Sequence, residues 1–237
     1  MDKLKKDTVY YHLPGLFEFY ELYCVFLPLY REHREYFYDW CEIGSVYGAP
    51  ADCIWGGGRV GGGDCSPQEI LALMREYGIS ARLTFSNSLL REEHLSDKKC
   101  NTLCTLFSEL QGKRNGVIVH SDLLLDYLKR NYPKLYFVSS TTKVLTDFEE
   151  LVNEIKRDEF LYVVPDFRLN KAWGKWNSCA MNAVGLDAGR GSFVTRQSAA
   201  KILEKTVRIT AVWLRMQGKA IAFLKQWKIR VLLEQMI

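Results

Sequence analysis

Polar residues whose side chains could do chemistry follow several apolar, β-forming segments of this chain. They are Ser86, Asn87, Ser88, His120, Ser121, Ser139, Ser140, Thr141, Thr142 and Asp166. His120 is the one ordinary acid–base side chain among them, and Asp166 is its candidate catalytic partner. We predict that Asn87, Ser121 and Thr141 bind a small polar ligand beside this pair. The alternative is that these residues are turn formers and helix caps, which favour the same residue types.

A glycine-rich segment provides one further candidate for ligand binding. The run GGGRVGGG, from Gly56 to Gly63, contains the pattern GxGxxG. A dinucleotide-binding loop opens directly into a helix, whereas Asp64 and Cys65 separate this run from the predicted helix cap Ser66. The run also lacks the Lys and Ser or Thr of a phosphate loop. We therefore predict either an active-site loop whose Arg59 binds the ligand or a plain surface loop.

The cysteines give no pattern that holds a cofactor. The chain has seven cysteines, an odd number, and their positions are scattered along the sequence. This pattern favours reduced thiols and a cytoplasmic location. Cys100 and Cys104 share a face of a predicted helix, where they could bind a metal or form a redox pair. No His or second Cys pair at ligand spacing accompanies them, so we expect small buried apolar side chains and no metal.

Composition and charge limit the partners of the chain. The net charge of +4 over 237 residues is too small to indicate nucleic-acid binding. The basic excess lies after residue 170, where twelve Lys and Arg face three acidic residues. The apolar run from Leu13 to Tyr30 is interrupted by Glu18 and Glu21, so we expect no membrane span.

The elements that must position these residues alternate between strand and helix. The predicted strands are 43–47 or 53–55, then 81–85, 116–119, 135–138 and 160–164. The predicted helices run from Ser66 to Gly78, over 97–110 and 123–130, and from Thr146 to about Arg157, the first and last opening with capping boxes. Such βα units build a parallel sheet, in either an open doubly wound fold or a (β/α) barrel. Both place ligands at the carboxyl ends of the strands.

Five segments carry a resemblance to a known family. They are VYGAPADCIWGGGR, RLTFSNSLLREEHL, NGVIVHSDLLLDYLKRNYP, VSSTTKV and VVPDFRLN, and together they span a little over half of the chain. In their order, the chain resembles uncharacterised bacterial proteins related to the collagenase-like peptidase family. The resemblance implies a barrel-type α/β domain over residues 1–170, here a partial barrel. It also implies a following cysteine-rich segment that in some branches holds an iron-sulfur cluster, whereas here Cys179 is the single cysteine after Asn170.

The basic tail, residues 171–237, has two interpretations, as an irregular or as a helical segment. In the first, the reading frame shifts near Lys171 to Lys175. In the shifted frame, each codon takes the third base of one residue's codon and the first two bases of the next. Read in this way, Met181-Asn182 becomes Glu, and many residue pairs that end in Ala or Val can become Cys. The shifted frame permits KVELLCNECCW, and only this restored frame would supply ligands for a cluster. In the second, Gln197 to Ile237 is a basic amphipathic helix that binds a membrane surface or a partner.

Three functions are compatible with these patterns. The first is a barrel-type enzyme with its site at the polar strand ends, and the second is a non-catalytic binding or partner module of the same fold. The third is a truncated product without activity. The sequence does not choose among them, and it does not define an oligomeric state.

Overall fold

The structure is a computed structural model that describes residues 9–57, 65–109, 112–166 and 168–169. Within these ranges, six strands form one sheet in which all neighbours are parallel and the spatial order follows the chain order. The sheet is curled as a half-barrel, and its strands alternate with helices. The predicted α/β fold of βα units on a partial barrel is thereby confirmed. Arg59 and its glycine-rich loop, and the tail from residue 171, lie outside the described residues.

The strands and helices alternate along the described chain. In chain order they are β1 (Val9–Pro14), α1 (Tyr20–Glu32), β2 (Cys41–Gly48), α2 (Pro67–Glu76), β3 (Ser80–Phe85), α3 (Lys98–Phe107), β4 (Gly116–Val119), α4 (Asp122–Asn131), β5 (Tyr136–Ser139), α5 (Phe148–Lys156) and β6 (Phe160–Val163). Short 3-10 turns lie at Arg34–Tyr36, Ile54–Gly56, Glu92–Ser96 and Thr141–Lys143.

The chain forms two compact units. The first comprises the chain up to Val144 together with Asp158–Val164, and it holds all six strands of the sheet and helices α1 to α4. The second comprises Leu145–Arg157, which includes α5, and the chain from Pro165 onward.

The described sheet has one more strand than the sequence pattern predicts. β1 and α1 come from the aromatic-rich opening, where no regular alternation marks them. Of the two segments proposed for the first predicted strand, 43–47 lies within β2, whereas 53–55 does not pair and Ile54–Gly56 forms a 3-10 turn. Trp55 in that turn is fully buried, so its apolar character reflects packing in the core rather than strand pairing.

The two predicted capping boxes do not form, although both helices begin near their predicted starts. Ser66 is the N-cap of α2, but its hydroxyl donates to the side chain of Gln68 at 2.8 Å instead of accepting from the helix backbone. Asp147 rather than Thr146 is the N-cap of α5, because its Oδ1 accepts the backbone N–H groups two and three residues on, at 2.8 and 3.1 Å. An anionic acceptor is also favoured by the positive end of the helix dipole.

Side chains of β3 divide between the two faces of the sheet. Those that point toward the helices are fully buried and apolar, namely Ala81, Leu83 and Phe85. Those on the opposite, inner face are buried and polar, namely Ser80, Arg82 and Thr84. A buried strand of this kind is ordinarily apolar on both faces, so the inner face of β3 departs from the usual core pattern.

Aromatic rings form the centre of the core on the helix side. The ring of Trp55 meets Phe85 edge-on at a centroid distance of 5.2 Å and Tyr127 of α4 at 5.9 Å. The indole N–H of Trp55 donates to the carbonyl of His94 at 2.8 Å, so the buried polar atom is satisfied. Burial of rings of this size stabilises a fold by about 2 to 3 kcal/mol each, which holds the ends of β3 and α4 together.

Candidate functional site

The carboxyl ends of β3, β4 and β5 are aligned by backbone hydrogen bonds that continue one residue beyond the strands. The N–H of His120 donates to the carbonyl of Phe85 at 3.3 Å, and the N–H of Ser140 donates to the carbonyl of Val119 at 3.0 Å. These bonds place the residues after each strand at one edge of the sheet. Side chains far apart in the sequence are neighbours there.

Four side chains at this edge form a continuous hydrogen-bonded series, which we call the hydroxyl chain. The hydroxyl of Ser86 lies 3.4 Å from that of Ser140, and the hydroxyl of Ser140 lies 2.8 Å from that of Thr142. The Thr142 hydroxyl lies 2.9 Å from Nδ1 of His120. The hydroxyl chain therefore connects the ends of three strands, from the buried Ser140 to the exposed Thr142.

A tight turn after β5 holds two members of the hydroxyl chain in place. Ser140 caps the 3-10 turn Thr141–Lys143, and its hydroxyl accepts the backbone N–H of Thr142 at 3.2 Å. The turn ends at Val144, whose φ of +56° lies in the left-handed region. That conformation costs a β-branched residue on the order of 1–3 kcal/mol, and such strain is concentrated at functional sites.

The imidazole of His120 is held in its neutral form near neutral pH. Burial lowers the pKa of His120 below its ordinary value, the cation of Lys143 lowers the pKa further, and the carboxylate of Asp122 opposes both. A neutral imidazole has one nitrogen that donates and one that accepts. Nε2 has no hydrogen-bond partner among the described side chains, so His120 can bind a ligand through Nε2 while Nδ1 bonds to Thr142.

A charged pair lies beside the imidazole. Nζ of Lys143 is 3.6 Å from a carboxylate oxygen of Asp122 and 4.9 Å from the ring centroid of Phe160. Lys143 is well covered, with 12% of its side chain exposed. Neither Lys143 nor Asp122 stands directly after a strand, so the sequence pattern did not indicate them.

Asn87 and Ser121 lie at the predicted edge of the sheet, but their side chains form hydrogen bonds with backbone groups. The amide of Asn87 donates to the carbonyl of Ile54 at 2.8 Å and accepts the N–H of Leu89 at 2.8 Å. The hydroxyl of Ser121 caps α4 by accepting the N–H of Leu124 at 3.5 Å. Asn87 and Ser121 therefore act as a turn former and a helix cap, which was the alternative to ligand binding.

Thr141 is exposed at the start of the 3-10 turn and is not part of the hydroxyl chain, whereas its neighbour Thr142 is. The spacing of Ser140 and Thr142 is a signal that could have identified the right residue. A serine that starts a turn commonly accepts the N–H two residues on, which brings its hydroxyl next to the side chain there.

Asp166 belongs to the second unit, where its partner is Arg168. Nε of Arg168 donates to Oδ1 of Asp166 at 2.8 Å, Nη2 donates to Oδ2 at 3.0 Å, and the backbone N–H of Arg168 also donates to Oδ1. These bonds hold the pKa of Asp166 below its usual range. The carboxylate is therefore ionised near neutral pH and engaged in a bidentate ion pair.

Cys100 and Cys104 are both buried in the core, as predicted for small apolar side chains. Cys100 also has a partner that the sequence did not indicate, because Sγ of Cys53 lies 3.2 Å from its own Sγ. The hydrogen bond between the thiols lowers the pKa of Cys53. Burial raises the pKa of Cys104, which keeps that thiol protonated.

In the described part of the chain, no three His, Cys, Asp or Glu side chains are grouped so that they could hold a metal ion. The described helices include none with the length and apolar character to cross a membrane. Comparison with protein-family models, with curated proteins and with solved structures finds no match for this chain.

Proposed function

We propose that the first unit binds a small polar ligand at the carboxyl edge of its sheet, on the hydroxyl chain of Ser86, Ser140, Thr142 and His120. One observation carries the proposal. Three hydroxyl groups from two strand ends are linked to each other and to a neutral imidazole from a third strand end, which offers alternating donors and acceptors at one edge. Parallel half-barrels and barrels bind their ligands at this edge.

The links within the hydroxyl chain differ from those of ordinary turn residues. Turn and cap side chains bond to backbone groups a few residues away, as Asn87 and Ser121 do here. Ser86 and Ser140 are instead 54 residues apart, and His120 and Thr142 are 22 apart. Side-chain pairs of this kind are a small minority of hydrogen bonds in proteins, and each has to be positioned by the fold.

A dipeptide is a suitable probe for this proposal. Its amide and termini offer donors and acceptors for hydroxyls and imidazole, and the resemblance to the collagenase-like peptidase family supports the same ligand class. We expect glycylglycine to raise the melting temperature of the full chain, because a ligand that binds only the native state stabilises it. His120→Gln and Thr142→Val should each remove this rise.

Matched control variants distinguish a loss of binding at the sheet edge from general effects of the substitutions. His33→Gln and Thr102→Val make the same chemical changes at exposed positions outside the hydroxyl chain. Both should keep the response to glycylglycine. An equal response in all four variants, or none in the unmodified chain with any of a panel of dipeptides, contradicts the proposal.

A second candidate function is hydrolysis of a peptide or ester bond, and the contact between Thr142 and His120 favours it. At 2.9 Å, Nδ1 of the neutral imidazole can accept the proton of the Thr142 hydroxyl as that oxygen attacks a carbonyl carbon. The imidazolium returns the proton to the amine or alcohol that leaves as the peptide or ester bond breaks, and water then hydrolyses the acyl group from Thr142. Mass spectrometry of a peptide mixture tests this. Hydrolysis should be lost in Thr142→Val and retained in Thr142→Ser, and equal hydrolysis by the valine variant would exclude this role.

A further inference from the structure

The inner face of the sheet holds a buried guanidinium whose described partners are all neutral. Arg82 lies in the middle of β3 and is only 3% exposed. Its contacts are with Tyr136 of β5 and Tyr162 of β6, and its charge also acts on His12 of β1. No carboxylate lies within ion-pair distance of it in the described ranges. A buried charge is costly without a counter-charge, so this arrangement points to a missing anion.

Three residues fix one edge of the guanidinium without adding charge. Nε of Arg82 donates to the hydroxyl of Tyr136 at 2.6 Å, and that hydroxyl lies 2.7 Å from the hydroxyl of Ser80. Ser80 in turn donates to the backbone carbonyl of Arg114 at 2.9 Å. Each proton in this series has an acceptor. The series holds Arg82 in one orientation through Nε and does not use its terminal amino groups.

Aromatic groups enclose those terminal amino groups. The guanidinium carbon lies 4.4 Å from the ring centroid of Tyr162, and Tyr162 also forms a side-chain hydrogen bond with Arg82. The ring of His12 meets Tyr162 edge-on at 5.7 Å, and its Nδ1 lies 2.8 Å from the hydroxyl of Ser45. Burial and the charge of Arg82 lower the pKa of His12 to about 3, so His12 is neutral and the cluster carries a single positive charge.

Two glycines make the space in which these rings lie. A Cβ at Gly116 of β4 would be 2.4 Å from the ring of Tyr136, which crosses β4 to reach Arg82. A Cβ at Gly44 would be 2.8 Å from the ring of His12. No real Cβ tolerates such contacts, so the cluster depends on both glycines.

A buried hydroxyl on the same face gives a second observation. Thr84 is two residues beyond Arg82, about 7 Å along the strand, and it points to the same side of the sheet. It is 3% exposed, and its hydroxyl has no hydrogen-bond partner among the described residues. Buried hydroxyls nearly always have one, so Thr84 independently indicates that a polar group belongs on this face.

We propose that Arg82 and Thr84 form a binding site for a single carboxylate on the inner face of the sheet, with Tyr162 and His12 as its walls. The two terminal amino groups of an arginine match the two oxygens of a carboxylate. One positive charge balances a monoanion, which disfavours a phosphate dianion. The site uses none of the residues of the hydroxyl chain, so it is independent of the function proposed above.

The test follows the side-chain Nε–H signal of Arg82 by NMR in the full chain, because its bond to Tyr136 protects that proton from exchange. Sodium acetate is titrated against sodium chloride at equal ionic strength, with sodium phosphate as the contrasting probe. We expect a saturable shift with acetate. Arg82→Lys lacks this proton and is followed through the backbone amide of Thr84 instead; it should weaken acetate about tenfold, as a bidentate contact is lost. Arg130→Met, at an exposed position of α4, should leave acetate binding unchanged.

The remaining outcomes reject the site. If acetate moves the Arg82 signal of the unmodified chain no more than chloride does, no carboxylate site exists. Stronger binding of phosphate than of acetate also overturns the proposal. The titration of the unmodified chain decides this even where a variant of Arg82 does not fold.

Discussion

The hydroxyl of Thr142 lies 2.9 Å from Nδ1 of His120, across the carboxyl ends of two neighbouring strands. A rotamer of either residue that broke this contact would leave the imidazole without an oriented partner. The contact therefore fixes which ring nitrogen faces the turn and which faces outward. The predictions below test this edge, the inner face and the packing that positions them.

The inner-face histidine should make stability depend on pH. The pKa of His12 is about 3 in the folded chain, against 6.5 as its ordinary value. Because the unfolded chain then binds more protons than the folded chain between these two values, stability falls as pH decreases from 6.5 toward 3. From pH 6.5 to 5, this one group accounts for a loss of up to about 2 kcal/mol.

Denaturant unfolding at several pH values measures that loss. His12→Gln cannot titrate, so its free energy of unfolding should fall less between pH 6.5 and 5 than that of the unmodified chain. His33→Gln, at an exposed position, serves as the control and should keep the full dependence. If the free energy of unfolding changed equally with pH in the unmodified chain and in His12→Gln, the pKa of His12 would not be lowered as described.

The two close thiols should form a disulfide under mild oxidation. Sγ of Cys53 and Sγ of Cys100 are 3.2 Å apart, so only a small movement joins them. Diamide as oxidant takes up the two thiol hydrogens as the sulfur–sulfur bond forms. The closed loop of 47 residues corresponds to roughly 4 kcal/mol of stabilisation in the chain-entropy model.

Peptide mapping by mass spectrometry checks the pairing. We expect the peptides of Cys53 and Cys100 to be linked after treatment, and Cys53→Ser to remove the link. The exposed Cys24 gives a comparison, because it is reachable by the oxidant. A product that links Cys24 while Cys53 and Cys100 stay reduced would contradict the observed geometry.

The cap of α5 gives a direct comparison between sequence and structure. Asp147→Ala removes two hydrogen bonds to the helix backbone and should destabilise the fold by about 1 kcal/mol. Thr146→Ala, at the position that the capping-box pattern predicts, should change stability by a few tenths of a kcal/mol at most. The two melting temperatures decide between the caps, and a larger effect at Thr146 would restore the pattern-based assignment.

Local patterns predict most of the described fold. Strand β4 has its predicted bounds, and β3, β5 and β6 begin or end within one residue of theirs, because short apolar segments between turn residues are typical of buried parallel strands. β1 was not predicted, since its aromatic residues carry no alternation. Its pairing with β2 is set by tertiary contacts that no local window contains.

Side-chain relationships between distant residues could not be predicted from local patterns. The sequence placed His120 and Ser140 at one edge, because parallel strands bring their carboxyl ends together. It could not show that Thr142 rather than Thr141 contacts the imidazole, which depends on the geometry of one turn. The sequence pattern did not indicate Arg82. An arginine within an apolar strand becomes informative only when the structure shows that no carboxylate among the described residues pairs with it.

The most direct measurement of the central claim is an NMR titration of the full chain with glycylglycine. We predict saturable shifts for the backbone amides of Ser86, Ser140 and Thr142 and for the ring nitrogens of His120, with one common binding constant and with amides of α3 unaffected. The same titration of Thr142→Val should show at least a tenfold weaker response, about 1.4 kcal/mol. Shifts distributed over the whole surface, or identical titrations for both proteins, would contradict a ligand site on the hydroxyl chain.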